Sequence, residues 1–227
     1  MNKQENNIEV RFSDLGLSAN ALSAIAAKGF EQPSPIQRMA IPVLLSETCD
    51  VIAQAQTGTG KTAAFGLPIL ERLDVKKIVP QALILAPTRE LAIQVTEELA
   101  SLRGTRPLHL LTVYGGQSIS EQQRRLKRGA QIVVGTPGRI LDLLRRGDLH
   151  LDSVEWVVLD EADEMLNMGF IEDVEEILAQ VTSEHRMFLF SATMPERIVC
   201  LSKKFMKEVR LLQVDKEQKP THLADLL

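Results

Sequence analysis

The sequence predicts an α/β fold in which a doubly wound, mainly parallel sheet is covered by helices on both faces. Short apolar runs rich in Val, Ile and Leu alternate with stretches of helical periodicity along most of the chain. These runs are continuously apolar, as in strands that are buried on both faces. A glycine-rich loop follows the first run and precedes a helix, which is the order that a phosphate-binding loop requires.

Length and composition limit the classes of protein. The 227 residues suit one large domain, expected over residues 11–214. A net charge of −4 gives no general affinity for nucleic acid, so such binding requires a local patch. Cys49 and Cys200 form no C-x-x-C pair, which favours free thiols in a reducing compartment. No apolar run approaches a membrane span, and we expect a monomeric, cytoplasmic protein.

The first elements are helical. Residues 1–10 are polar and are expected to be flexible. Ser18 is a candidate N-cap for a helix that ends at Gly29, because a serine hydroxyl can accept a helix N–H and glycine adopts the left-handed conformation that ends helices. Pro33 and Pro35 then predict an extended turn before a second helix over 36–45.

Strands and helices alternate after this point. The apolar runs predict strands at 51–53, 82–86, 108–114, 132–134, 154–159, 187–190 and 209–214. Periodic patterns predict a helix from residue 63 and further helices at 90–102, 119–127, 139–146, 165–181 and 196–206. In the helix over 165–181, Met165, Met168 and Phe170 are expected on a buried face. The charged, proline-containing residues 215–227 have the composition of a linker or a truncated tail.

The glycine-rich loop covers residues 55–62, with the sequence A-Q-T-G-T-G-K-T. Gly58 and Gly60 would let backbone N–H groups approach phosphate oxygens, Lys61 would supply positive charge, and Thr62 would offer a hydroxyl to Mg²⁺. Ala55 stands where the general pattern has glycine, and a methyl group fits there if φ is negative. We expect Lys61 to contribute little to packing. The other candidate nucleotide contacts in the loop are Gln56, Thr57 and Thr59.

An acidic pair follows the apolar run that ends at Leu159. A phosphate loop needs such a pair at the end of a buried strand, to hold Mg²⁺ and to orient the attacking water. We assign Asp160 to the metal, through water, and Glu161 to polarising the hydrolytic water. Alternatively, the carboxylates could belong to a solvated helix start, where negative charge is also favourable.

The residues Asp160-Glu161-Ala162-Asp163 and several other motifs, in the same order, resemble the first domain of the DEAD-box RNA helicase family. The resemblance runs from Phe12 to about Val214. Residues 29–37 are similar to the Q motif, residues 55–62, including the alanine, to motif I, and residues 191–193 to motif III. This resemblance implies a RecA-like P-loop NTPase domain that binds ATP, Mg²⁺ and RNA. It also implies a second RecA-like domain downstream, which nothing after Val214 resembles.

The resemblance assigns base recognition to Gln37 and Phe12. A glutamine amide carries a donor and an acceptor that match adenine N6 and N7, so Gln37 would select adenine. Phe12 would pack on the base. Without the resemblance, Gln37 would be an ordinary polar residue at a helix start, and Phe12 would be a core anchor.

The candidate RNA contacts follow the predicted strands, where parallel sheets bind ligands and backbone N–H groups are free. They are Pro87, Thr88, Arg89, Gly115, Gly116, Thr136, Pro137, Gly138 and Arg139. Contacts of this type hold the sugar-phosphate backbone without reading the bases, so we expect binding that is independent of sequence. The basic residues Arg124, Arg125, Lys127 and Arg128 are interpreted as a solvated helix face.

Ser191 and Thr193 follow the predicted strand 187–190. In related folds this strand lies between the P-loop strand and the acidic strand, so their hydroxyls could reach Asp163 and couple ATP to RNA binding. The alternative is a cap for the helix after Pro195.

The sequence thus indicates a fragment of an ATP-dependent RNA helicase that couples ATP hydrolysis to the unwinding of RNA. We expect the fragment to be nearly inactive without its second domain. A P-loop motor that acts on DNA is disfavoured by Gln37 and by the acidic motif. A non-catalytic binding module is disfavoured by the intact Lys61, Thr62, Asp160 and Glu161, although it could describe the fragment in isolation.

Overall fold

The computed structural model describes residues 10–56 and 58–214, and within them one parallel sheet of seven strands forms the centre of the molecule. The strands are β1 (Val51–Gln54), β2 (Ala82–Leu85), β3 (Leu110–Val113), β4 (Ile132–Gly135), β5 (Trp156–Leu159), β6 (Arg186–Ser191) and β7 (Arg210–Gln213). Their order across the sheet is β3-β4-β2-β5-β6-β1-β7. The predictions for residues 1–9, for Thr57 and for 215–227 lie outside the described residues.

A short 3-10 helix at Phe12–Leu15 and two α-helices precede the first strand, and further helices connect successive strands. They are α1 (Ala19–Ala27), α2 (Pro35–Ser46), α3 (Lys61–Arg72), α4 (Arg89–Leu102), α5 (Ile119–Lys127), α6 (Pro137–Arg145), α7 (Ala162–Asn167), α8 (Ile171–Leu178) and α9 (Glu196–Phe205). The predicted cap at Ser18 is confirmed, because its side chain accepts a hydrogen bond from the Ala21 N–H. None of the helices in the described ranges is both long and apolar enough to cross a bilayer.

The two faces of the sheet bury separate cores. Successive side chains of a strand point to opposite faces, so Val51 and Ala53 enter one core and Ile52 enters the other. The first core packs against α1 to α4, and the second packs against α6 to α9. The prediction of a doubly wound parallel sheet is therefore confirmed.

Strand order brings three loops together at one edge. β6 pairs with both β1 and β5, so it lies between the strand that precedes the glycine loop and the strand that precedes Asp160. This confirms the predicted insertion of the strand over 187–190. Because the strands are parallel, the loops after β1, β5 and β6 all leave the sheet at its C-terminal edge.

The predicted single helix over 165–181 is wrong. Gly169 has φ +77°, a left-handed conformation that ends α7, and α8 begins two residues later at Ile171. Met168 is 48% exposed instead of buried, whereas Met165 is fully buried. Apolar residues recur at helical spacing on both sides of the break, which is why periodicity alone predicted one helix.

Candidate functional site

The glycine loop joins β1 to α3. Gly58 and Gly60 have φ +80° and +86°, and Gly60 is the N-cap of α3. Glycine is favoured at position 60 because its φ is strained for a residue with a side chain, and a Cβ atom there would also lie 2.5 Å from Gln37 Nε2 and displace it. The φ of Ala55 is not positive, and the Ala55 N–H donates a hydrogen bond to the Ser191 carbonyl at 3.1 Å. The condition under which alanine fits this position is therefore met.

Lys61 is the first residue of α3 and is only 6% exposed. Its Nζ lies 3.8 Å from Asp160 Oδ1 and 3.8 Å from Glu161 Oε1. The structure thus brings the glycine loop and the acidic pair into one site. The expectation that Lys61 contributes little to packing is wrong, because its ammonium is buried beside two carboxylates.

Asp160 follows β5 and is 2% exposed. Burial raises the pKa of Asp160 to about 6, although the nearby Lys61 opposes this shift. Within the described residues, Asp160 Oδ1 accepts no hydrogen bond. A buried carboxylate oxygen without a donor is a natural ligand for a cation or for a water that a cation holds.

Glu161 has an unusual backbone conformation. Its φ and ψ of 56° and 55° lie in the left-handed region, and the residue forms the N-cap of α7. For a residue with a side chain this conformation costs on the order of 1–3 kcal/mol, and such strain clusters at functional sites. It directs the chain sharply from β5 into α7, next to Lys61.

Gln37 is buried and connects α2 to the glycine loop. Its Oε1 accepts a hydrogen bond from the Ser34 N–H at 2.9 Å, and its Nε2 donates to the Gly60 carbonyl at 3.1 Å. An amide oxygen has two lone pairs and an amide nitrogen has two hydrogens, so one acceptor and one donor position remain for a base. The side chain that was predicted to read adenine also holds the loop.

Phe12 occupies the first core and is 5% exposed. The structure therefore matches the alternative interpretation, in which Phe12 is a core anchor. Phe30, half-buried, lines the cleft that contains Gln37 and Lys61. Sequence reasoning included Phe30 in the Q motif but assigned it no role, although an aromatic residue close to an adenine-reading glutamine was a usable signal.

The cleft above the glycine loop has a volume of about 230 Å³. One wall comes from α4, through Leu91, Gln94 and Glu98. Sequence reasoning missed these three residues, because only the packing of α4 against α3 brings them to the loop. A wider depression of about 660 Å³ at the opposite edge of the sheet contains none of the glycine-loop residues.

Asp163 receives the predicted contacts from the loop after β6. Its Oδ2 accepts hydrogen bonds from the Thr193 N–H and the Thr193 hydroxyl, both at 2.9 Å, and its N–H donates to the Ser191 hydroxyl at 3.2 Å. Burial raises the pKa of Asp163, but the hydrogen bonds from Thr193 and Ser191 outweigh burial and bring the pKa below its ordinary value. The predicted contact is confirmed.

The candidate RNA contacts lie along the edge formed by β2, β3 and β4. Arg89, Gly115, Gly116 and Gly138 are exposed, and Arg139 is half-buried. Pro87 and Pro137 are buried, so their side chains shape turns and are not available to a ligand. The Thr88 hydroxyl accepts from the Leu91 N–H and so caps α4. The predicted solvated face is confirmed by the exposure of Arg124, Arg125, Lys127 and Arg128.

The chain shows clear similarity to known proteins. A model of the family described as DEAD/DEAH box helicase matches residues 34–200. The DEAD-box ATP-dependent RNA helicase CshA of Geobacillus kaustophilus is 55% identical over 203 residues, which are 89% of this chain and 43% of that protein. The ATP-dependent RNA helicase CshA of Listeria monocytogenes is 54% identical over 204 residues, 90% of this chain and 39% of that protein. The chain therefore spans less than half the length of these relatives.

Two solved structures have the same fold. A DEAD box protein from the hyperthermophile Methanococcus jannaschii superposes with a TM-score of 0.87 at 50% identity, over 90% of this chain and 56% of that chain. A hypothetical ATP-dependent RNA helicase from Sulfolobus tokodaii gives a TM-score of 0.80 at 38% identity, over 87% of this chain and 57% of that chain. The RecA-like fold inferred from the sequence is confirmed.

Proposed function

The chain belongs to the DEAD/DEAH box helicase family, and from this membership we propose that it is the RecA-like domain of an ATP-dependent RNA helicase that binds both ATP and RNA. The full enzyme would remodel RNA duplexes while hydrolysing ATP to ADP and phosphate. The observation that carries the proposal is the position of Lys61, 3.8 Å from both Asp160 and Glu161, at the floor of a cleft that also contains Gln37.

ATP would bind with its phosphates in the glycine loop. Backbone N–H groups of residues 58–62 and the N-terminus of α3 suit phosphate oxygens, and Lys61 would leave the carboxylates to meet the β- and γ-phosphates. The adenine would lie near Gln37, whose amide retains one donor and one acceptor. Phe30 offers an apolar surface in the same cleft.

The residues present suit Mg²⁺. Thr62 would offer a hydroxyl, and Asp160 offers a buried oxygen that accepts no hydrogen bond in the described part of the chain. Mg²⁺ typically binds one or two carboxylates together with waters and substrate phosphates, which this pair of residues allows. When bound, the ion neutralises charge on the phosphates. Glu161 would orient the attacking water and accept its proton.

RNA would bind along the edge formed by the loops after β2, β3 and β4. Arg89 and Arg139 provide charge there, and the exposed Gly115 and Gly116 allow a phosphate to approach backbone N–H groups. Such contacts hold the sugar-phosphate backbone and do not read bases. Asp163, Ser191 and Thr193 would transmit the state of the nucleotide site towards this edge.

Hydrolysis would need a second RecA-like domain. The relatives are more than twice as long as the matched region, and in phosphoryl transfer an arginine supplied by a neighbouring unit raises turnover roughly 10³–10⁵-fold. RNA that contacts both domains would favour the closed cleft and so stimulate hydrolysis. We also propose a reducing, cytoplasmic setting, in which Cys49 and Cys200 remain the free thiols seen here.

Steady-state ATP hydrolysis tests the proposal. It is measured with and without single-stranded RNA, for this chain alone and for the chain joined to the sequence that follows it in its full-length protein. We expect turnover near background for the chain alone and RNA-stimulated turnover for the longer protein. Robust RNA-stimulated turnover by the chain alone would show that the site is complete within it. Failure of the longer protein to hydrolyse ATP would contradict the helicase assignment.

A further inference from the structure

The turn after β3 touches two of the candidate RNA contacts, Arg89 and Arg139. It covers residues 114–117 and contains the exposed Gly115 and Gly116. The Arg89 guanidinium lies 4.8 Å from the centre of the Tyr114 ring, and Gln117 Nε2 donates a hydrogen bond to the Tyr114 hydroxyl at 2.6 Å. Tyr114 is 6% exposed, so the turn is anchored by a buried side chain.

Gln122 on α5 connects this turn to α6. Its Nε2 donates to the Tyr114 carbonyl at 2.9 Å, and its Oε1 accepts from Arg139 Nη1 at 3.2 Å. Gln122 is 2% exposed, so its hydrogen bond to the Tyr114 carbonyl is buried, and its hydrogen bond from the half-buried Arg139 is partly buried. One hydrogen bond of this buried amide goes to each of the two partners, so movement of either partner breaks a hydrogen bond of a buried group.

The hydrogen bonds of Arg139 within the described residues go to uncharged groups. Besides Gln122, its Nη1 donates to the Gln117 carbonyl at 3.2 Å. Several other arginines are paired with carboxylates, namely Arg145, Arg146, Arg197 and Arg210. Within the described ranges Arg139 has no such pair with a carboxylate. Its Nε and Nη2 keep three N–H donors for an anion.

We propose that Gln122 is a positioning residue for RNA: its buried amide fixes Arg139 and the turn over residues 114–117 relative to each other. Because the amide is neutral, it leaves the charge of Arg139 for an RNA phosphate. This inference rests on the proposed function, since it concerns the same RNA edge. It explains why an uncharged residue occupies a buried position next to an arginine. A glutamate there would pair with the guanidinium and compete with the phosphate.

The test uses four single substitutions in this chain. Gln122→Glu keeps the size of the side chain but adds a competing charge and removes the donor to the Tyr114 carbonyl. Gln122→Met keeps a similar length but removes both hydrogen bonds. Gln123→Ala is the matched control, because the neighbouring side chain bonds Asp148 at 2.6 Å and not the RNA edge. Arg139→Ala tests the RNA site itself. Circular dichroism and ADP titration establish that each variant is folded.

The readout is the affinity for a fluorescent single-stranded RNA, measured by anisotropy over a range of salt concentrations. For single strands, the slope of log K against log salt changes by about 0.7 for each phosphate that the protein ceases to neutralise. We expect Gln122→Glu and Arg139→Ala to bind RNA about tenfold more weakly, because each removes one charge-assisted contact between Arg139 and a phosphate. Both should also reduce the slope by the equivalent of one phosphate. Gln122→Met should weaken binding by less and keep the slope. Gln123→Ala should match the unsubstituted chain.

The outcomes separate this inference from the proposed function. Unchanged RNA affinity and slope for both Gln122 variants, together with weaker binding by Arg139→Ala, would overturn the role of Gln122 and leave the RNA site intact. Unchanged binding by Arg139→Ala would overturn this inference alone, whereas no RNA binding by the unsubstituted chain at low salt would overturn both. Fully additive effects in the doubly substituted Gln122→Glu, Arg139→Ala protein would also count against the inference, because the competing charge of a glutamate at position 122 acts through Arg139 and should have no effect without it.

Discussion

Thr193 donates two hydrogen bonds, from its backbone N–H and from its hydroxyl, to a single carboxylate oxygen of Asp163. Both are 2.9 Å long. The contact joins the loop after β6 to the start of α7, and it exists because β6 lies between β1 and β5. Any movement of α7 that follows a change at Asp160 or Glu161 must therefore move or break a bond to this loop.

Replacing Thr193 by valine should reduce the coupling between ATP and RNA. Valine keeps the shape of the side chain but its side chain cannot donate to Asp163. We expect RNA stimulation of ATP hydrolysis to fall several-fold in the protein joined to its downstream sequence, with little change in ADP affinity. The loss of stability should stay below about 1 kcal/mol because the contact is exposed. Thr96→Val removes a hydroxyl contact on α4, far from this loop, and is the control. Unchanged stimulation would exclude a coupling role.

Gln37→Ala should reduce the preference for adenine and also weaken nucleotide binding in general. The first effect follows from the free donor and acceptor of the amide, and the second from its hydrogen bond to the Gly60 carbonyl. Each should contribute on the order of 1 kcal/mol. Calorimetric titration of ADP and GDP separates the two effects. Gln94→Ala, in the same cleft, should affect both nucleotides equally. Equal affinities of the unsubstituted chain for ADP and GDP would remove Gln37 as the selector.

Lys61→Met should abolish nucleotide binding and lower the free energy of unfolding. The substitution leaves Asp160 buried without its ammonium partner. The loss of stability should be smaller than the roughly 3–5 kcal/mol typical of tight buried pairs. The loss is smaller because Lys61 Nζ and Asp160 Oδ1 are as far apart as 3.8 Å, and because the Asp160 carboxyl, with a pKa of about 6, can take up a proton.

Adding Asp160→Asn to Lys61→Met provides the control. The double variant should recover most of the missing stability, because no buried charge remains, while nucleotide binding stays absent. Urea denaturation measures this. A double variant that is less stable than Lys61→Met would mean that the loss of stability in Lys61→Met does not come from an unpaired buried charge at Asp160.

Glu161→Gly should be more stable than Glu161→Ala by about 1 kcal/mol, because only glycine adopts the left-handed conformation without a steric cost. Both variants lack the carboxylate, so the difference between their stabilities reports the conformational strain of the backbone at position 161. The same pair of substitutions at Glu164, inside α7, should give the opposite order, since glycine destabilises a helix interior by about 1 kcal/mol relative to alanine. Equal stability at position 161 would show that the conformation stores no strain. Thermal denaturation suffices for both comparisons.

Asp50 should make stability depend on pH. It is 6% exposed and accepts hydrogen bonds from the N–H groups of Met187 at 2.7 Å and Lys207 at 2.6 Å. Burial raises the pKa of Asp50 in spite of these bonds. The folded state therefore holds the proton more tightly than the unfolded chain does. This contribution is complete below the unfolded pKa of about 3.9 and is lost as pH rises through the higher folded pKa.

The corresponding measurement compares Asp50→Asn with the unsubstituted chain by urea denaturation at several pH values. The difference in the free energy of unfolding should shift in favour of the asparagine variant as pH rises above about 4. Asp152→Asn, at an exposed position, is the control. A shift in the opposite direction would mean that the two hydrogen bonds outweigh burial.

Most of the fold could be predicted from the sequence, because each strand is a continuous apolar run and each helix has its own periodicity. All seven strands and most helices of the described region lie within a few residues of their predicted bounds. The break at Gly169 was not predicted, since the apolar residues on either side keep helical spacing. The exposure of Met168 depends on that break.

The sequence by itself determined the chemistry: a glycine loop with Lys61 and Thr62, an acidic pair after a buried strand, and a glutamine able to match adenine. These signals are local, because each depends on residue types at short spacing. Tertiary structure alone decided which groups are buried and which meet. It placed Lys61 beside two carboxylates, Phe12 in the core, Phe30 in the cleft and Gln122 against Arg139. Such contacts depend on strand order and helix packing, which join residues far apart in the chain, and no local pattern encodes them.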